Sequence, residues 1–364
     1  MVYQYFLRSY RETLKGSANT QYYRRKAGQF VYSKLDFLNQ AFGIIPEHLD
    51  GYESTVDLPC FDTSKELDTR FLLEYVQRRD YYKKYGEIAD GGRKAKRIQV
   101  ETFLDFPIFL PKLNEQKKLS ACLSSIDDLI TNQSQKLATL KDHKKGLMQQ
   151  LFPAEGESVP KLRFPEFQNS GDWKLHKIEN LAKRGSGHTP NKSISENYNG
   201  GVKWVSLADS KNLDNGFIFN TTVEISEEGI KNSSAVLHPQ GTVILSRDAG
   251  VGKSAVLNSA MAVSQHFIAW QCDEKKLSNW FLYYTLQALK PAFERIAVGN
   301  TIKTIGLPYF KELKINKPSF EEQEKIAECL RSVDDLISIQ LKKVENIKLH
   351  KKSLMQKLFP SLRA

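Results

Sequence analysis

Residues 111–153 and 318–360 align with each other without a gap, at a constant offset of 207 and with 23 of 43 positions identical. A repeat of that length means that one structural unit occurs twice. Within each copy apolar residues recur at alternating steps of four and three, the a/d seam of a coiled coil. In the first copy these are Leu119, Leu123, Ile126, Ile130, Leu137, Leu140, Leu147 and Leu151; in the second, Ile326, Leu330, Val333, Ile337, Val344, Ile347, Leu354 and Leu358. Polar residues interrupt the seam at the same places in both copies, Gln133/Gln340 and Lys144/Lys351, where a polar group fixes register at some cost in stability. Asn114 and Glu321 open the helices, and Pro153 and Pro360 close them. Each is then a rod of about 37 residues, roughly 55 Å long. Rods matched in length are expected to pair with each other, antiparallel, because a globular segment lies between them; the alternative is that each packs on its own domain.

The segments before the rods repeat more weakly. Gly28 to Lys34 (GQFVYSK) parallels Gly241 to Arg247 (GTVILSR), Arg70 to Gln77 parallels Trp280 to Gln287, and Gly92 to Ile98 parallels Gly299 to Ile305. FVYSK and TVILSR read as strands after a glycine turn, FLLEYVQRR and WFLYYTLQALK as amphipathic helices. The division expected is a first domain at 1–110, a first rod at 111–153, a Pro/Gly-containing linker at 154–172, a second domain at 173–317 and a second rod at 318–360. The fold class is α+β, two α/β domains separated by two long helices.

Fifty-three Lys and Arg against 42 Asp and Glu give a formal charge of +11, which favours an anionic partner, nucleic acid first. Eight basic residues fall between Val76 and Arg97, interleaved with Tyr81, Tyr82 and Tyr85, a mixture suited to phosphate neutralisation with aromatic packing against sugar or base. The candidate DNA contacts in the first domain are Arg24, Arg25, Lys34, Arg93, Lys94, Lys96 and Arg97. In the second they are Arg184, His188, Thr189, Lys192, Lys203, Arg247, Lys253, Asn300 and Lys303, with Gln265 a further adenine reader by side-chain type. Gly250 to Ser254 ends like a phosphate loop, but Arg247 stands where that motif needs glycine, and a turn between two strands accounts for it better. His143 and His350, flanked by lysines and without a ligand set, read as solvated or partner-facing, and no metal is expected. No methylase, cofactor or nuclease motif is found, so neither catalysis nor a cofactor is expected. Four scattered cysteines and the lack of a long apolar run point to a reducing cytoplasm, with no membrane partner.

The twice-repeated P-x-x-x-E-Q-x-K-[LI]…L-x-S-[IV]-D-D-L-I…H-K-K-x-L-M-Q-x-L-F-P resembles the specificity subunit of type I restriction-modification enzymes. So do the entry V-P-K-L-R-F-P-E-F…W at 159–173 and the Gly185-Ser186-Gly187-His188-Thr189-Pro190 loop. The resemblance covers nearly the whole chain. It implies two target recognition domains arranged with pseudo-twofold symmetry, each reading one half of a bipartite, asymmetric site in double-stranded DNA. It implies an antiparallel pair of helices that holds them apart and sets the spacer. The partners implied are two methyltransferase subunits and two restriction/translocase subunits, which carry the chemistry. On the offset of 213 set by Gly28 and Gly241, the counterpart of Trp173 to Leu213 is expected to be absent from the first domain. A shortened first domain leaves a second reading open, an interaction-only subunit that binds methyltransferase subunits without reading a full site.

Overall fold

The computed structural model describes residues 7–9, 12–14, 21–87, 97–299 and 303–359. Its two long helices are Leu113–Leu151 and Phe320–Leu358, 39 residues each. The chain forms two compact units, and each takes part of both rods: Met1–Gln135 with Leu341–Ala364, and Lys136–Gln340.

In the first unit a four-stranded antiparallel sheet runs in the order Leu7–Ser9, Cys60–Thr63, Phe30–Tyr32, Phe42–Ile44. A three-stranded sheet joins Glu12–Leu14, Tyr22–Arg24 and Glu53–Thr55. In the second unit the larger sheet runs Phe217–Ile218, Ser254–Leu257, Val243–Ser246, Phe267–Cys272, Ala182–Ser186. Its smaller companions are Val223–Ile225, Tyr198–Val205, Met261–Val263 and Leu237–His238, and the pair Lys314–Lys317 with Lys174–Lys177. The strands read from FVYSK and TVILSR and the helices read from FLLEYVQRR and WFLYYTLQALK are all present, the last two as Thr69–Val76 and Asn279–Ile296.

Leu7–Ser9 lies antiparallel beside Cys60–Thr63, as Ala182–Ser186 lies beside Phe267–Cys272. The outer strand expected to be absent from the first sheet therefore has a counterpart. A fixed offset assumes loops of equal length, and the chain between this strand and Phe30 is much shorter than its equivalent. Tyr81, Tyr82 and Tyr85, expected from the sequence to lie among surface charges, are instead 0%, 6% and 8% exposed. They pack with Phe103 and Phe106 in the core of the first unit rather than interleaving with surface charge.

The rods run antiparallel within each unit. In the first, Leu119 and Leu123 near the start of one rod share a core with Leu354, Leu358 and Phe359 at the end of the other. In the second, Leu147, Leu151 and Phe152 pack with Ile326 and Leu330. Every seam residue read from the heptads is buried or half-buried, including Ile126, Ile130, Leu137, Leu140, Val333, Ile337, Val344 and Ile347. The two seam lysines make ion pairs at repeat-equivalent places. Lys351 Nζ lies 2.7 Å from Asp127 Oδ1 and 3.2 Å from Glu74 Oε2, and Arg70 bridges Glu74 and Asp127 at 3.2 and 2.7 Å. Lys144 Nζ lies 2.7 Å from Asp334 Oδ1, and the Tyr284 hydroxyl donates to Asp334 Oδ2 at 2.8 Å. A one-turn slip of the helices would strand these charges in a half-buried seam, so the pairs pin the register.

The repeated Glu-Gln dipeptide joins each rod to its globule. Gln116 Oε1 accepts from the Asp68 N–H at 2.9 Å, while its amide donates to the Glu66 and Pro111 carbonyls. Gln323 does the same with the Ser278 N–H and the Lys276 and Pro318 carbonyls. Asp68 and Ser278 are the N-caps of Thr69–Val76 and Asn279–Ile296, so one fully buried glutamine ties the start of each rod to the cap of the neighbouring helix.

Candidate nucleic-acid interface

In the second unit several of the residues singled out from sequence meet around one turn. Gly187 passes so close to the sheet that a Cβ there would sit 1.8 Å from the Val263 carbonyl oxygen, a place only glycine tolerates. The next residue, His188, donates its N–H to that same oxygen at 3.1 Å, and its own carbonyl accepts from the Trp204 indole at 3.1 Å. Thr189 then donates its hydroxyl to Gln265. Beside Gln265, His266 carries the second half of the arrangement. Its carbonyl accepts from the Arg247 N–H at 2.9 Å, and its Nδ1 lies 2.8 Å from Asp248 Oδ2. Asp248 also accepts from the Thr304 hydroxyl, while the Arg247 carbonyl accepts from the Ile305 N–H at 3.0 Å. His188, Thr189, Gln265, Arg247 and Lys303 are thus held on three loops stitched through the Gln265-His266 turn. Lys303 is exposed, and the Arg247 guanidinium is 3.7 Å from Asp248. The group combines cations, hydroxyls and an amide, the donor types that meet phosphate oxygens and the acceptors on base edges.

Other candidates are placed differently. Lys253 Nζ donates to the Ser210 carbonyl and hydroxyl at 2.9 and 3.2 Å. Lys203 donates to the Phe219 carbonyl at 2.6 Å, and Arg184 is paired with Glu179. Lys192 is exposed. In the first unit Arg24 is exposed on the strand Tyr22–Arg24. Arg25 is only 4% exposed: its Nε donates to Ser54 at 2.7 Å and its terminal nitrogen to the Leu58 carbonyl at 2.8 Å. Burial holds its pKa below the usual arginine range. These contacts give Arg25 a structural task. Lys34 is 8% exposed and Arg97 pairs loosely with Asp57 at 3.5 Å. Arg93, Lys94, Lys96 and Asn300 lie outside the described residues.

A cleft of about 1050 Å³ in the first unit is lined by Arg78, Arg79, Lys83, Lys348, Lys351 and Lys352, with Asp80 as its acid. Lys348 and Lys352 were not singled out from sequence; the signal was the lysine-rich end of the rod. Asp248, His266 and Thr304 left no such signal, because they are 18 and 56 positions apart and only the fold unites them. Among the described residues no group of His, Cys, Asp or Glu is arranged to hold a metal ion, and no helix is long and apolar enough to cross a membrane.

The type I restriction modification DNA specificity domain matches residues 57–142 and 170–349, more than half of the chain. The chain belongs to this family. The MjaVIII type I restriction enzyme specificity subunit of Methanocaldococcus jannaschii is 28% identical over 274 residues, 72% of this chain and 63% of that protein. A second protein of that organism, MjaX, is 27% identical over 293 residues, 79% of this chain and 66% of its own length. The chain therefore spans just under two thirds of these relatives. Among solved structures, the type I restriction-modification S subunit of M. genitalium superposes with a TM-score of 0.66 at 14% identity, covering 100% of this chain and 96% of that one. A chain from a study of the assembly and conformational transition of a type I R-M system gives 0.60 at 17% identity, covering 95% and 85%. These two likenesses show the S-subunit fold: two sheet-rich globules and two long helices.

Proposed function

We propose that this member of the specificity family is the non-catalytic, DNA-reading subunit of a type I restriction-modification complex. Its domains at 1–110 and 173–317 each read one half of a bipartite, asymmetric site in double-stranded DNA. The rods at 111–153 and 318–360 dock two methyltransferase subunits and set the spacer, and two restriction/translocase subunits join for cleavage. The observation that carries this reading is the doubled construction, in which each globule is fastened to a rod by the same buried glutamine. A chain built twice in this way suits a target read in two parts. The stitched loops around Gln265 and His266 supply the reading surface of the second domain, and the basic cleft at Arg79, Lys83, Lys348 and Lys352 supplies phosphate contacts in the first unit. Most such contacts would fix position and affinity, and a few side chains the sequence.

The test is a gel shift of random duplexes with the purified chain, with and without methyltransferase subunits, followed by methylome sequencing of cells carrying the complex. A bipartite methylated motif that disappears with this chain is the expected result. Methylation or cleavage by the chain alone, given S-adenosylmethionine, Mg²⁺ and ATP, would refute the non-catalytic assignment. Retention of methyltransferase subunits without any sequence preference would favour the interaction-only reading.

A further inference from the structure

We propose that His266 is a phosphate contact of the second domain that takes up a proton when DNA binds, with Asp248 as the residue that positions it. This rests on the reading in which the loops around Gln265 meet DNA, and it makes affinity at those loops depend on pH.

The imidazole is held by its inner nitrogen. Asp248 Oδ2 lies 2.8 Å from Nδ1, and since a carboxylate only accepts, Nδ1 carries the hydrogen. The other carboxylate oxygen accepts from the Thr304 hydroxyl and lies 3.7 Å from Arg247 Nε. A tight turn presents Asp248 to this group. Its next residue, Ala249, has φ 42°, a conformation that residues other than glycine rarely adopt, and the Ala249 N–H donates to the Lys303 carbonyl at 3.3 Å. The His266 carbonyl in turn accepts from the Arg247 N–H at 2.9 Å. Backbone and ring are thus both fixed. The His266 side chain is nevertheless 33% exposed, and among the described residues its Nε2 has no partner.

A ring anchored at Nδ1 with Nε2 open has two states of opposite use. Neutral, Nε2 only accepts and cannot meet a phosphate oxygen; protonated, it donates a charge-assisted hydrogen bond. The surroundings suit an anion at that nitrogen. Arg247, Lys303 and His188 stand on the loops around the ring, and among the described residues Asp248 is the one carboxylate paired with any of these groups. Lys253, on the same hairpin, is turned away to Ser210. Donors exceed acceptors here, since Arg247 Nε is buried with no hydrogen-bond partner among the described residues. Asp248 balances the charge of a protonated ring, and a phosphate brought beside Nε2 favours that form, so binding and proton uptake are linked.

The test is the anisotropy of a fluorescein-labelled random-sequence duplex titrated with the full chain between about pH 8 and pH 6, where histidine changes charge, at several salt concentrations. Affinity should rise about three- to tenfold toward the lower pH, and the plot of log K against log salt should steepen by nearly one, the signature of one added phosphate contact. His266→Gln should abolish both trends. Asp248→Asn should displace them to lower pH, and His188→Gln should keep them whatever its affinity. A wild-type affinity that does not change with pH would overturn the proposal, as would a trend that survives in His266→Gln or a variant that lowers affinity equally at both pH values, which would leave His266 a structural part only. Those results leave DNA reading by the second domain in place. No saturable binding at any pH would instead overturn that reading and the role of His266 with it.

Discussion

Arg247 and Lys253 lie six residues apart at one end of a strand pair in the second unit, and their surroundings separate their expected effects. The Arg247 backbone is fixed on both sides by His266 and Ile305, and among the described residues its guanidinium makes a long contact, 3.7 Å, to Asp248. The Lys253 ammonium is committed to Ser210. Arg247→Ala should therefore weaken DNA binding by about 1–3 kcal/mol where the side chain reads a base, relaxing only the half-site of the second domain. Lys253→Ala should lower stability by about 1 kcal/mol with little loss of affinity. Gel shifts and denaturant midpoints on both variants decide it, and equal losses of affinity would count against the division. His238 gives a pH prediction. Its ring is buried beside Gly185, its Nε2 has no hydrogen-bond partner among the described residues, and burial pushes its pKa below the ordinary histidine range. The unfolded chain binds a proton near the ordinary histidine pKa while the folded chain resists it, so stability is full above that pKa and falls as pH drops through the folded value. His238→Gln should flatten the decline in the urea midpoint between about pH 7 and pH 5.5. An unchanged slope would show that another group carries the acid sensitivity.

Between elements, the two register pins have different chemistry at equivalent positions, and that difference is measurable. Glu74 occupies the place in the first unit that Tyr284 occupies in the second. Lys351→Met leaves the 1%-exposed Glu74 carboxylate and the partly buried Asp127 with Arg70 as their remaining cation, and breaking such a pair costs about 3–5 kcal/mol. Lys144→Met leaves Asp334 with the Tyr284 hydroxyl still donating to it, and a cost of about 1–2 kcal/mol is expected. Chemical denaturation of the two variants should show this order, and the reverse would mean that the pins do not carry their charges as described. The rods were legible because a heptad repeat is local and was present twice; even the polar interruptions at Lys144 and Lys351 stood out as register-setting. Their acidic partners did not, since Asp127 and Asp334 lie off the a/d seam. The tyrosines at 81, 82 and 85 were misread because alternation with charge looks the same on a helix half-sunk in a core as on a binding surface. The outer strand Leu7–Ser9 was missed because its identity rests on pairing with Cys60–Thr63 and not on its residues. At the candidate interface, single cations such as Arg247 could be nominated from sequence, but Lys253, Lys203, Arg184 and Arg25 could not be told apart from it. Their carbonyl and carboxylate partners are brought in by the fold.

At the scale of the whole molecule, the proposed division of labour assigns sequence reading to the globules and distance to the rods, and the two can be changed separately. Deleting Gln133–Thr139 and Gln340–Asn346 removes one heptad from each rod between the pins, leaving Asp127, Lys144, Asp334 and Lys351 to pair in the same register. Each rod shortens by about 10 Å, close to three base pairs at roughly 3.4 Å each. The rotations do not match as well as the lengths. Seven residues leave a straight helix within ~20° of its former direction, whereas three base pairs turn the duplex by about 100° at 10–10.5 base pairs per turn. A globule that keeps its distance from the other would thus meet its half-site out of phase. The expected outcome is either a shorter preferred spacer with weakened binding or no stable binding, with the half-site sequences unchanged in any motif that survives. Methylome sequencing of cells carrying the shortened chain reads both quantities at once. Half-sites that change while the spacer stays the same would show that the rods are not the ruler, and would move the spacing to the globules themselves.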